Sequence, residues 1–353
     1  DDVDIPEPDT LFDDYSNRSE ALKDNEMMIA KHLMYDYDLK ITGSKVPDAL
    51  GRTYKNGERM RMTPEQRKKW DAAYDPKNEK FKAANKAFAQ GLRSHPVTGE
   101  GLPAFGTNVL TNVVNEAGGY PTHNFQTGQF EDWEAIYGEA LTEKYLIKVK
   151  PCFSCPIACG RVTKVPDGPY QGEGEGPEYE TVYSLGSDVG VGDLAALTKA
   201  NYVCNELGLD TISMGSAIAC AMELYEKGHL TESDIGFPLA WGDGEALVKL
   251  TRQTGMREAF GDILAEGSLR MATRYGHPEF AMVSKGMDLA GYDPRGTQGL
   301  GLNYATSPIG ASHMRGDMPY CELLGVPLKI DGQTWADKPP LVVKWQNVFS
   351  LID

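Results

Sequence analysis

Three of the chain's six cysteines fall in one run, Cys152-Phe-Ser-Cys155-Pro-Ile-Ala-Cys159. Spacings of two and three residues bring three sulfurs to one short loop, and thiolates select zinc, iron–sulfur clusters or Cu(I). A C-x2-C pair serves zinc as well as a cluster. The third cysteine suits three corners of a cubane, and buried structural thiols are the remaining reading. A cubane needs a fourth ligand. Cys204, Cys220 and Cys321 are the internal candidates, but each sits in an apolar pattern where a free thiol is commonly core. Downstream, Glu173, Glu175, Glu178 and Glu180 place four carboxylates within eight residues, and their mutual repulsion should raise at least one pKa. On composition alone that run reads as a solvated acidic loop, and His313 as an ordinary histidine.

The elements around these residues read as mainly α. The 353 residues suffice for two domains or one large one, with ordinary globular composition. No apolar run approaches the roughly 18 residues of a membrane span. The chain starts at Asp1, not Met, and stops inside an apolar pattern at Asp353, so it reads as a fragment of a longer polypeptide. One cysteine cluster does not resemble a secreted disulfide framework, and a reducing cytoplasm fits better. The net charge of −16 argues against nucleic acid as a partner. That charge is uneven. From Lys40 to Arg93, 14 Lys/Arg stand against 6 Asp/Glu, which makes this segment +8 and the remainder −24.

Residues 1–18 read as an acidic linker or strap. Ser19 caps an expected helix to Tyr37, and glycines and prolines break 40–63 into loop. A basic helix is expected over Lys80–Leu92, with others over Val109–Glu116, from Asp132 to Tyr145, from Asp193 to Gly208, and over 211–227, 244–254 and 262–275. Gly286 to Gly310 is so glycine-dense that it reads as one long loop, leading into Ala311-Ser-His313-Met-Arg315. The expected domains are a linker 1–18, a helical domain 19–283 with a basic insertion 40–93, and the start of a further domain over 284–353.

Several of these stretches, in order, resemble the tungsten-containing aldehyde:ferredoxin oxidoreductase family. They are Gly101-Leu-Pro, Asn124-Phe-Gln-Thr-Gly128, the cysteine run with Gly160-Arg-Val, Glu175-Gly-Pro-Glu-Tyr-Glu-Thr, Glu206-Leu-Gly-Leu-Asp-Thr-Ile-Ser213, Ala221-Met-Glu-Leu-Tyr-Glu-Lys-Gly228, Tyr292-Asp-Pro-Arg-Gly296 and Tyr304-Ala-Thr306. The likeness covers about 98–353. It implies that family's helical C-terminal-domain fold and oxidation of a small aldehyde to a carboxylic acid. It also implies a tungsten bis-pterin centre, although the residues would serve molybdenum equally, and a nearby [4Fe–4S] cluster. Cys152, Cys155 and Cys159 match three cluster ligands. The fourth belongs to an Asp-x-x-Gly-Leu-Cys motif that would begin at Asp353, placing that thiolate past the last residue. Glu180 and His313 match the active-site glutamate and histidine. Asn205, Leu209, Asp210, Thr211, Arg315 and Asp353 match cofactor-binding positions.

The departures are specific. Asn205 stands where the family's pterin motif has Asp, and Arg315 where Lys is expected; an amide offers one acceptor where a carboxylate offers two. A subunit-bridging metal held by Glu-x-x-His would fall on Lys199-Ala-Asn-Tyr202. A lysine repels a cation, so any homo- or hetero-oligomer is expected to lack that metal. The family's N-terminal domain, which covers the other pterin face, has no counterpart here, so this chain alone is expected not to hold tungsten. The implied electron acceptor is a ferredoxin or an iron–sulfur partner subunit, and the basic segment 40–93 would suit an acidic carrier.

Overall fold

The computed structural model describes residues 79–153, 155–325 and 328–352, together with short strands at 46–47, 53–55 and 58–59. The strap 1–18, the helix from Ser19 and Asp353 lie outside the described residues. The chain divides into two compact units, 1–90 and 91–353. In the first, β1 (Val46–Pro47), β2 (Thr53–Lys55) and β3 (Glu58–Arg59) pair antiparallel, where the sequence suggests only loop. Strands of two or three residues are too short for apolar alternation to show. The basic helix α1 runs Glu79–Ser94.

The second unit opens with α2 (Leu102–Phe105) and α3 (Leu110–Glu116). The helix expected from Asp132 is instead two, α4 (Trp133–Ile136) and α5 (Gly138–Tyr145). The break is Tyr137, extended at ψ 177°, and a side chain at Gly138 would come within 2.8 Å of Phe105 Cβ. Tertiary packing overrides a continuous helical pattern there.

An antiparallel sheet follows, in the order β4-β5-β6: β4 (Leu146–Val149), β5 (Arg161–Val165) and β6 (Gly172–Glu175). The cysteine run is the β4–β5 connection. Tyr202 packs flat on β6, where a Cβ at Gly172 or Gly174 would reach its ring at 2.9 Å. The Tyr202 hydroxyl bonds Thr163 at 2.8 Å and Lys199 Nζ donates to Gln171 O at 3.1 Å, so both departures from Glu-x-x-His are committed to packing and tethering.

The helical core comes next. Helix α6 (Tyr179–Leu185) lies against α8 (Thr211–Glu226), and Gly215 allows the contact, since a Cβ there would sit 2.3 Å from Ser184 O. Between them in sequence, α7 (Leu194–Leu207) starts where the Asp193 side chain accepts from the Ala195 and Ala196 amides, and it ends at Gly208 with φ 70°. Both caps follow from local residue chemistry. Helices α9 (Glu232–Ile235), α10 (Gly244–Met256), α11 (Gly261–Leu264) and α12 (Ser268–Arg274) complete this layer. Gly267, at φ 88°, splits the helix expected over 262–275 into α11 and α12.

After a hairpin of β7 (Val283–Ser284) and β8 (Met287–Asp288), the expected glycine-rich loop contains a helix, α13 (Gln298–Thr306). Its glycines are contact points: a Cβ at Gly299 would meet Met318 at 2.8 Å and one at Gly301 would meet Pro294 at 2.9 Å. Helices α14 (Pro319–Glu322) and α15 (Lys338–Ile352) close the unit. Buried Glu322 receives the Gly299 and Leu300 amides at the α13 N-terminus and pairs with buried Lys338. Every charge in that pair has a partner, as burial demands.

Candidate functional site

Two tyrosines on α6 tie it to the segment after β8. Tyr179 donates to Gly291 O, and Tyr183 donates to Leu289 O at 2.8 Å. Between them, Glu180 Oε2 accepts the Gly291 amide at 2.8 Å. Gly291 has no room for a side chain, because a Cβ would lie 2.8 Å from the Tyr183 ring. The other oxygen, Glu180 Oε1, is buried without a hydrogen-bond partner and lies 3.7 Å from His313 Nε2. That separation exceeds a hydrogen bond. Both side chains keep a window to solvent, 17% for Glu180 and 20% for His313. Burial raises the Glu180 carboxyl above its ordinary range, opposed by His313 and then by the Gly291 amide. A carboxylate of raised pKa with a free oxygen opposite an imidazole is an acid–base pair able to act on a molecule that reaches both from their solvent-facing side.

The acidic run resolves into separate roles. Glu173 and Glu175 lie on β6, facing Lys164 and Lys150 at 3.5 Å in solvent. Glu178, at the N-cap of α6, accepts from Thr107, whose hydroxyl receives the Tyr179 amide at 2.8 Å. Burial is also what chiefly raises Glu178; repulsion from Glu175 is a lesser cause. The expectation of a raised carboxylate holds, but desolvation outweighs like-charge repulsion as its cause.

Cys152 is exposed, Cys155 and Cys159 are half-buried, and all three thiols are free. The loop is braced from beneath by Arg161, 1% exposed, whose guanidinium donates to Cys159 O at 3.3 and 3.1 Å and also to Ala104 O and Leu102 O. Burial pushes the Cys159 thiol up, with Glu178 adding to it. Glu178 thus faces the thiol loop while Glu180, two residues on, faces His313. Among the described residues no three Cys, His, Asp or Glu side chains converge as a metal site. The donor set, three free thiols on one short loop, fits an iron–sulfur group in type; the ligand shell is not assembled. Cys204, Cys220 and Cys321 are fully buried core residues. Burial pushes the Cys204 thiol up to about 12 and Cys220 higher still, and Cys321 Sγ accepts from Trp345 Nε1 at 3.2 Å.

The matched cofactor positions are less uniform. Asn205 is exposed near the end of α7. Leu209 and Asp210 line a cavity of about 300 Å³ with Ser213, Thr254, Arg257 and Gly267. Asp210 caps α8 by accepting the Ser213 amide at 2.8 Å, so one carboxylate oxygen is committed. Thr211 bonds the Thr181 hydroxyl at 2.8 Å, joining α8 to α6. Arg315 is half-buried on the turn that carries His313. Sequence reasoning missed Asp317, which is buried and electrostatically coupled to both His313 and Glu180. The only signal was an acidic residue four places after the candidate histidine.

The family described as "Aldehyde ferredoxin oxidoreductase, domains 2 & 3" matches residues 83–353. The chain is 47% identical over 278 residues to the tungsten-containing aldehyde ferredoxin oxidoreductase of Pyrococcus furiosus, covering 78% of this chain and 46% of that protein. The like-named protein of Thermococcus kodakarensis is 48% identical over 278 residues, with the same coverage. The chain therefore spans about half the length of these relatives. A shorter likeness, 39% over 72 residues, is to an N-acetylglucosamine-6-O-sulfatase of Bacteroides thetaiotaomicron, covering 20% of this chain and 12% of that protein. The family match starts at residue 83, so most of the basic segment 40–93 precedes it.

Proposed function

The chain belongs to the aldehyde ferredoxin oxidoreductase family, and on that premise we propose that the complete protein oxidises aldehydes to carboxylic acids. The overall change adds the oxygen of water to the aldehyde and releases two electrons and two protons. The observation that carries this reading is Glu180 Oε1, buried and unpartnered, facing His313 across 3.7 Å. An orphaned buried oxygen beside an imidazole is costly in a resting protein, and it suits a site that receives a polar substrate. Glu180 takes up a proton as water and the aldehyde carbon combine, and burial, by raising its carboxyl above the ordinary range, makes it a stronger base for that role. His313 donates to the aldehyde oxygen as negative charge grows there. Tyr179, Tyr183 and the Gly291 amide hold Glu180 in place.

When bound, a tungsten bis-pterin supplies the oxygen-transfer and two-electron chemistry. Leu209, Asp210 and Thr211 would hold one pterin edge, with Asn205 making the weaker contact and Arg315 supplying a cation beside His313. Cys152, Cys155 and Cys159 would supply three ligands of a [4Fe–4S] cluster, whose fourth would come from outside the core thiols. The acceptor would be a ferredoxin or an iron–sulfur partner subunit. Docking on segment 40–93 rests on charge alone, because that segment lies mostly ahead of the family match.

The test is metal analysis with EPR on the anaerobically purified full-length protein, plus aldehyde-dependent dye reduction. About one tungsten and about four irons per chain with activity are expected. A brown, metal-loaded protein inert to aldehydes would leave only an electron-transfer module; a colourless zinc protein would overturn both.

A further inference from the structure

The turn carrying His313 continues into a second buried carboxyl. His313–Arg315 form a single turn of 3-10 helix, and the Gly316 amide returns to His313 O at 3.4 Å. Gly316 is pressed against the neighbouring helices: a Cβ there would lie 2.6 Å from Asn303 Oδ1 on α13 and 3.1 Å from Gln346 Cγ on α15. Asn303 in turn donates to Ser312 O at 3.0 Å, and Gln346 donates to Asn303 at 3.0 Å. The clamp is therefore closed on both sides of the turn. It delivers Asp317, 8% exposed, to a cavity of about 50 Å³ lined by Leu110, Tyr292, Pro319 and Tyr320. The Tyr292 ring lies 6.2 Å from the His313 ring, so one aromatic ring borders both the cavity and the histidine.

We propose that Asp317 is a positioning residue that sets the charge balance of the Glu180–His313 pair. The proposal rests on reading that pair as the aldehyde site. The groups facing Asp317 are His313 on its own turn, Glu180 on α6, and the hydroxyls of Tyr292, Tyr304 on α13 and Tyr320 on α14; Arg315 lies on the same turn. Burial pushes the Asp317 carboxyl up to about 7, with His313 opposing and Glu180 adding to the rise. Two carboxyls in one apolar site share protons as a coupled set. By reciprocity, ionised Asp317 disfavours ionised Glu180. Its charge thus delays the base.

The experiment uses the full-length, metal-loaded enzyme. Asp317→Asn keeps the shape and removes the charge, so the acidic limb of the pH profile of kcat/KM, set by Glu180, should move to lower pH by about one unit. Tungsten and iron content should be unchanged, and Asp317→Glu should keep the unsubstituted profile. A uniform rate loss with unmoved limbs in Asp317→Asn would show a purely structural role and overturn the proposal. Infrared difference spectra of Asp188→Asn, which lacks the other carboxyl raised to about 8 by burial, serve where the Asp317 variant does not fold. A protonated carboxyl should titrate between about pH 6 and about pH 8, and its absence overturns the idea. Because that signal needs no turnover, it separates failure of this proposal from failure of the aldehyde reading.

Discussion

The two candidate sites of this molecule are built in opposite ways. Glu180 and His313 come from elements 133 positions apart in the chain and meet in a buried site whose anchors are all protein groups. The three cysteines come from one eight-residue stretch, lie partly in solvent, and form no closed ligand set. The first site is preorganised by packing and persists whatever it binds. The second is local in sequence, and ionised thiols so close together repel one another until a cation draws them together. Helix α6 joins the two, presenting Glu178 to the loop and Glu180 to the histidine.

The strongest way to break this contrast is Glu180→Gln in the full-length enzyme. Aldehyde-dependent dye reduction should fall by roughly 10³-fold, with tungsten and iron retained; loss of metal would show that the two sites are not independent. Next is Gly291→Ala. The added Cβ must displace the Tyr183 and Tyr179 rings, 2.8 and 3.1 Å away. Destabilisation of about 1–3 kcal/mol in denaturant unfolding is expected, with a fall in kcat as Glu180 loses its anchor.

A third test concerns pH. Asp188, on the 3-10 turn that follows α6, is fully buried without a well-aligned hydrogen bond, and burial raises its carboxyl from 3.8 to about 8. A carboxyl raised on folding contributes stability that is intact below its unfolded pKa and lost as pH climbs through the folded value. Unfolding free energy should therefore decline from about pH 4 to about pH 8, by an amount on the order of a few kcal/mol. Asp188→Asn should flatten that decline in chemical unfolding at pH 5 and pH 8.5. The smallest expected effect on the fold is Cys159→Ser. Iron content should drop sharply, while the metal-free protein should shift in Tm by less than about 2 °C. A large shift would mean that the loop is part of the core after all.

Much of the fold was legible because its signals are local. Asp193 and Gly208 bracket α7 in sequence as in structure, and Asp210 caps α8 through the Ser213 amide. The failures have two causes. Tyr137 splits one expected helix, and Gly299 and Gly301 sit inside a helix where glycine density suggests loop, each decided by packing that no window of neighbours contains. Gly267 splits another by its own left-handed backbone, at φ 88° with open space where a side chain would go.

The site divides along the same line. Thiol identity and spacing within 152–159 limit the possible ligands to a few metals, and that inference needs nothing beyond eight consecutive residues. Glu180 looked like one of four solvated carboxylates, and composition left His313 unremarkable. Folding separated Glu180 from Glu173 and Glu175, left one of its oxygens without a partner, and brought His313 and Asp317 to it. Coordination chemistry is written in residue type and spacing, whereas a raised carboxyl depends on how much water the rest of the chain excludes. That is why residue type and spacing alone point to a metal at the cysteine run, whereas the resemblance could name Glu180 and His313 but only α6, Gly291 and the turn at Gly316 leave a buried, unpartnered Glu180 oxygen facing the His313 ring.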